Sequence, residues 1–184
     1  MPGDRIMKYQ QTIILAALCT LLGACNVPDT MMENGAVTLK GNVVTLHVDG
    51  APNAMINAQG ELQIGDKTVA TTPSQQGLLI LYFEGITDVH ESGVQMGKLG
   101  TGMGIAALKD KLNGDSKSDQ DKDAQKGGDQ MSALSTKICQ DELNIKNAQN
   151  QLAAQIPAFK PYGNIFTDKN TSCDKDDSTI IFKP

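Results

Sequence analysis

Several short patterns in this 184-residue chain carry the residue types that chemistry uses, and each lacks a required partner. His90-Glu91 opens as a helical zinc-hydrolase motif does. There two imidazoles on one helix face bind the metal and the glutamate serves as base. Val94 stands where the second imidazole belongs, so no site results. Gly93 to Lys98 has the glycines and lysine of a phosphate loop, but too few residues separate the glycines. Leu99 also replaces the Ser or Thr that would hold magnesium. Gly102-Met103-Gly104-Ile105-Ala106-Ala107 fits a dinucleotide turn without the preceding strand that such a turn needs, and reads instead as helix packing. Asp119, Asp121 and Asp123 are spaced like the opening of a calcium loop. Ala124 takes its glycine position and Gln130 that of its bidentate glutamate. Asp168, Asn170 and Ser172 fail in the same way at Cys173, and with Asp174, Asp176 and Asp177 they allow only loose, low-affinity Ca²⁺ association.

His47 and His90 are the two histidines of the chain, and no Ser, Cys or carboxylate constellation surrounds either in the sequence. Each reads as a surface or hydrogen-bonded structural residue. The expectation is a protein that is not an enzyme and that holds no cofactor and no metal. A net charge of -5 argues against nucleic acid as a partner, since phosphate binding needs a basic patch. Hydrophobic residues at 40% exclude wholesale disorder, although aromatics are sparse.

The four cysteines divide by position. Met7-Lys8-Tyr9 opens a short basic region, Ile13 to Leu22 is apolar, and Gly23-Ala24-Cys25 follows. This is the layout of a secretory signal, shorter than the ~18 apolar residues that a spanning helix needs. Leu22-Gly23-Ala24-Cys25 resembles the lipobox of bacterial lipoproteins. The resemblance implies cleavage after residue 24, a diacylglycerol on the Cys25 sulfur and an acyl group on its new amine. Several acyl chains on one residue hold a protein on a membrane where a single chain binds only reversibly. Asn26, rather than Asp, favours the outer membrane over the inner one. Cleavage would leave 160 residues with 14 lysines, no arginine and 20 acidic residues, a net charge of -6. Cys19 would leave with the signal, and Cys139 and Cys173 would remain as a pair in an oxidising compartment. Joined, they would close a loop of about 34 residues; left apart, they would be two free thiols.

Those positions need elements to hold them. Residues 25–35 read as a lipidated tether. From Ala36, alternation at Val37, Leu39, Val44, Leu46 and Val48 reads as strands. Ala54 to Ala58, Leu62 to Ile64 and Lys67 to Ala70 extend this to an antiparallel meander of three to five short strands. Such a sheet needs a cover for its apolar face. Thr72-Pro73 supplies a helix cap and a proline at the first helical position. Leu78, Leu79, Tyr82, Ile86 and Val89 then recur at helical spacing, and the helix can run on toward Leu112. Its many glycines each cost about 0.5–1 kcal/mol against alanine. We expect Gly93, Gly97, Gly100 and Gly104 to line one seam where another chain or the sheet approaches closely. Residues 113–130 read as a disordered acidic and polar linker. A second, antiparallel helix is expected from Met131 to Ile156, stopped by Pro157. Residues 131–184 thus hold this helix and a loop-rich tail pinned by the disulfide. Thr179 to Phe182 is expected as a last strand or a stretch packed on the body. The fold class is α+β.

Residues 49–112 resemble the YggN-like family of bacterial envelope proteins, whose function is unknown. The resemblance is carried by Ala58-Gln59-Gly60-Glu61-Leu62-Gln63-Ile64-Gly65, Lys67-Thr68-Val69, Thr72-Pro73-Ser74-Gln75, Tyr82 and the glycines at 93, 97, 100 and 104. Gly77 departs from it, where a long polar side chain is expected. Cys139, Ile156 to Tyr162 and Cys173 are similar to some members. The resemblance implies a periplasm-facing α+β protein and brings no activity with it. The expected function is a structural or protein-binding role in the envelope, with the membrane engaged through Cys25 and an envelope protein as partner. Two alternatives belong to other classes. One is an inhibitor or immunity lipoprotein against a basic cell-wall hydrolase, drawn in by acidic charge. The other is a membrane-active glycine-rich helix over Gly93 to Leu108.

Overall fold

A computed structural model describes residues 30–113, 117–167 and Cys173. Six strands form one antiparallel sheet in chain order: β1 Thr30–Met32, β2 Val37–Lys40, β3 Val43–Leu46, β4 Ala54–Asn57, β5 Leu62–Ile64 and β6 Lys67–Val69. Two long helices follow, α1 Pro73–Asn113 and α2 Lys117–Gln155, and then a 3-10 helix at Pro157–Tyr162. The fold is α+β.

The alternation that marks the strands is the dry face of the sheet. Val37 pairs with Leu46, Leu39 with Val44, Val44 with Ile56 and Ile56 with Leu62. All of them are buried. Thr38, Thr45, Met55 and Gln63 pair in the intervening rows and point to the other face. Gly60, at φ +72°, turns β4 into β5, and a Cβ there would sit 2.6 Å from the Gln76 carbonyl oxygen. The turn therefore requires glycine for its backbone and for the nearness of α1.

Helix α1 begins in a capping box. Gln75 N–H donates to Thr72 Oγ1 at 3.3 Å, and Thr72 N–H donates to Gln75 Oε1 at 2.9 Å. Leu79, Tyr82, Phe83, Ile86 and Val89 then lie on the sheet. Helix α2 adds Ile145, Ala148 and Leu152 to the same core, and Ile156, Phe159, Tyr162 and Phe166 follow in the segment after it. Tyr82 meets Phe159 and Phe166 edge-on, with ring centroids 6.1 and 6.2 Å apart. The chain's sparse aromatics are thus concentrated where both helices and the last turn converge.

Two expectations change. The meander has six strands, because Thr30–Met32, expected within a tether, pairs with β2. The expected linker over residues 113–130 is largely helical, since α2 starts at Lys117 rather than Met131. A polar stretch has no core to join, but a helical hairpin needs only one narrow contact strip, and small residues provide it. Gly127 lies where a Cβ would meet Met103 Sδ at 2.6 Å. The expected strand over Thr179 to Phe182 lies outside the described residues.

Candidate functional site

Cys139, on α2, and Cys173 form a disulfide with Cα atoms 5.7 Å apart. Ahead of the bridge, a buried glutamine straps down the segment after α2. Gln149 Nε2 donates to the carbonyls of Gly163 at 2.9 Å and Phe166 at 3.1 Å, while Phe166 N–H donates to Gln149 Oε1 at 3.0 Å. The Tyr162 hydroxyl donates to the Pro52 carbonyl, joining this segment to the loop before β4. Sequence reasoning missed Gln149, since its partners are backbone groups that only the folded turn brings near.

The glycines expected to form a packing seam do share one side of α1. A Cβ at Gly93, Gly97 or Gly104 would meet nothing within 4 Å, and one at Gly100 would reach only Met131 Cε at 4.0 Å. The sheet half of the seam expectation is corrected: neither the sheet nor α2 closes on these glycines. Close approach occurs instead at Gly85, where a Cβ would lie 2.6 Å from Ile145 Cγ1. That contact sits over the sheet, where α1 and α2 must both reach the core.

Clefts flank these elements, and the two largest described bear on the site. One of about 650 Å³ lies at the sheet end, lined by Asn34, His47, Asp49, Asn53 and Asn164 among others. His47 is fixed there, with Nε2 3.2 Å from Thr38 Oγ1 and Nδ1 3.1 Å from Asn53 Oδ1. Both ring nitrogens are thus held by side chains of the body. The second cleft, of about 810 Å³, opens between the far halves of α1 and α2. Leu99, Met103, Ala106 and Ala124 line it, with Lys98 and Asp121 also contributing.

His90 lies on α1 with its Nδ1 hydrogen-bonded to Thr30 Oγ1, which ties β1 to the helix. Next to β1, Glu33 and Asn34 take left-handed backbone angles of φ 49° and 55°, unusual for side-chain-bearing residues. Burial, with the Glu33 charge nearby, holds the Glu142 carboxyl above its ordinary value. The Tyr82 hydroxyl is pushed up by complete burial and, secondarily, by Glu33. It has no hydrogen-bond partner among the described residues. Asp121 and Asp123 are exposed on α2, a helix rather than a calcium loop. Among the described residues, no group of three or more His, Cys, Asp or Glu is placed to hold a metal ion. Cys25 and the Asp168 to Asp177 cluster, apart from Cys173, lie outside the described residues. No family model, curated protein or solved structure matches the chain.

Proposed function

We propose that this chain is a lipid-anchored protein of the bacterial envelope. It is held through Cys25 on the outer membrane, faces the periplasm, and serves a structural or protein-binding role rather than catalysis. The observation that carries the reading is the sequence Leu22-Gly23-Ala24-Cys25 directly after a basic and apolar signal. The Cys139–Cys173 disulfide supports it, because such bonds persist in exported compartments and are rare in reducing ones. The proposal extends to kinship with the YggN-like envelope proteins over residues 49–112.

Mass analysis of the N-terminal peptide of the membrane-extracted protein tests the anchor. Acyl chains on Cys25 at a new N-terminus are expected, and Cys25→Ala should move the protein out of the lipid-modified fraction. An unmodified Cys25 in a water-extractable protein would end the reading.

A further inference from the structure

We propose that the outward face of the far half of α1 lies on the surface of an anionic lipid bilayer. The proposal rests on the lipid-anchor reading, and it identifies the part of the body that the anchor brings against the membrane. Three independent observations carry it.

The first is the face itself. At 3.6 residues per turn, Val94, Lys98, Thr101, Ile105, Leu108 and Lys109 fall on one side of α1. Leu99 and Met103 fall on the side toward the cleft with α2. Val94, Ile105 and Leu108 are 41%, 64% and 62% exposed, although they are large and apolar. No residue of α1 from Gly93 to Lys109 is buried.

The second is charge. Between Glu91 and Asp110 the chain has no carboxylate, and Lys98 and Lys109 stand on the apolar face. Asp121 and Asp123 belong to α2 and line the cleft, whose rim Lys98 shares and where Lys126 also stands. An apolar stripe edged by lysines suits an interface, where the alkyl stems bury and the ammonium groups meet lipid phosphates. None of the described helices is long and apolar enough to cross a membrane, so the contact is along the surface.

The third is position. Gln76 on α1 bonds to the β4–β5 turn through the Gln59 carbonyl, while His90 bonds to Thr30 on β1. Helix α1 therefore crosses the sheet toward its β1 edge, and no residue from Gly93 to Lys109 is buried after Ser92. Continuing to Leu108, the helix extends ~25 Å past that edge at 1.5 Å per residue. The chain from Cys25 to Thr30 can span at most ~17 Å. Acyl chains on Cys25 thus hold the β1 edge, with its exposed Met31, near the headgroups on the side where α1 leaves the sheet, and the exposed stripe continues from that edge.

The test uses the full lipidated protein reconstituted into phosphatidylglycerol-containing vesicles. A polarity-sensitive fluorophore is placed at Leu108→Cys or, as the control on β6, Thr68→Cys. Both sites are exposed, and equal melting of the two labelled proteins checks folding. We expect a blue shift at position 108 and quenching by aqueous iodide reduced about threefold or more, with neither at position 68. Adding Lys98→Glu and Lys109→Glu should lower that protection several-fold, about as expected for losing two cationic contacts with acidic lipid. Equal quenching at both positions, in protein whose Cys25 is acylated by mass, would overturn the inference and leave the anchor standing. An unmodified Cys25 would overturn the anchor and the inference with it. Protection that rises with protein concentration in the absence of vesicles would assign the face to a second copy and overturn the lipid contact.

Discussion

Helix α1 is continuous in its backbone and divided in its surroundings. From Leu79 to Val89 its apolar side chains are packed on a sheet, faced by Ile145 and covered by Phe159 and Phe166. From Gly93 to Lys109 nothing is buried; Leu99 and Met103 turn to the cleft with α2, and Val94, Ile105 and Leu108 look outward. The same contrast divides its glycines. Gly85 is squeezed against Ile145, whereas Gly93, Gly97 and Gly104 face open space. A helix-spaced glycine can thus reflect close packing in one stretch and, two turns later, leave a face uncovered. Stability is concentrated in the first half, and the second half is free to serve a surface.

The largest expected effect breaks that contrast at its packed end. Phe159→Ala should cost about 3–5 kcal/mol in urea unfolding, because its ring lies wholly inside the aromatic cluster. Leu108→Ala should change stability by no more than about 0.5 kcal/mol. Comparable losses at the two positions would show that the far half is packed after all.

Reducing the Cys139–Cys173 bond, which joins positions 34 apart, should lower stability by about 3–4 kcal/mol on chain-entropy grounds. Amide exchange should accelerate over residues 145–166. Over residues 93–109, which bury no side chain, it should barely change.

Glycine substitutions give a change of sign. Gly85→Ala should cost about 1–3 kcal/mol by overpacking against Ile145. Gly97→Ala should gain about 0.5–1 kcal/mol, since a methyl there meets nothing and helix propensity improves. Thermal melts of the two variants decide this directly.

Tyr82→Phe removes a buried hydroxyl that has no partner among the described residues, and should raise stability by about 1 kcal/mol. A loss instead would reveal a hydrogen bond to that hydroxyl.

The smallest effect is a slope. Burial, then the Glu33 charge, raise the Glu142 carboxyl in the folded state, which therefore holds a proton more tightly than the unfolded chain. The resulting stabilisation is fully present below the ordinary carboxylate range and is lost as pH rises through the raised value. Glu142→Gln should flatten this decline when unfolding is followed from about pH 4 to 7.

Much of the body was legible because one side of each element is dry. The alternation from Val37 to Leu46 survives as a buried row, and Thr72-Pro73 does start α1. What was not legible depends on partners distant in sequence. Thr30–Met32 is too short to show a period, and it is a strand because β2 offers it an edge. The polar residues after Lys117 look structureless until the far half of α1 lies alongside. Periodicity places Gly93, Gly97, Gly100 and Gly104 on one side without saying what that side faces. Of the candidate site residues, the cysteine pair could be read by counting, whereas Gln149 and Gly85 required the fold.

The bridge has a consequence for the molecule's survival among proteases. A single cut between Cys139 and Cys173 severs the polypeptide but releases no fragment, because the sulfurs still join the two pieces. Such a nick would be invisible on a non-reducing gel and would appear as two bands only after reduction. The pieces would also remain close enough for Phe159 and Tyr162 to stay seated. A nicked molecule would therefore keep its core, and any surface that core supports, for as long as its surroundings remain oxidising.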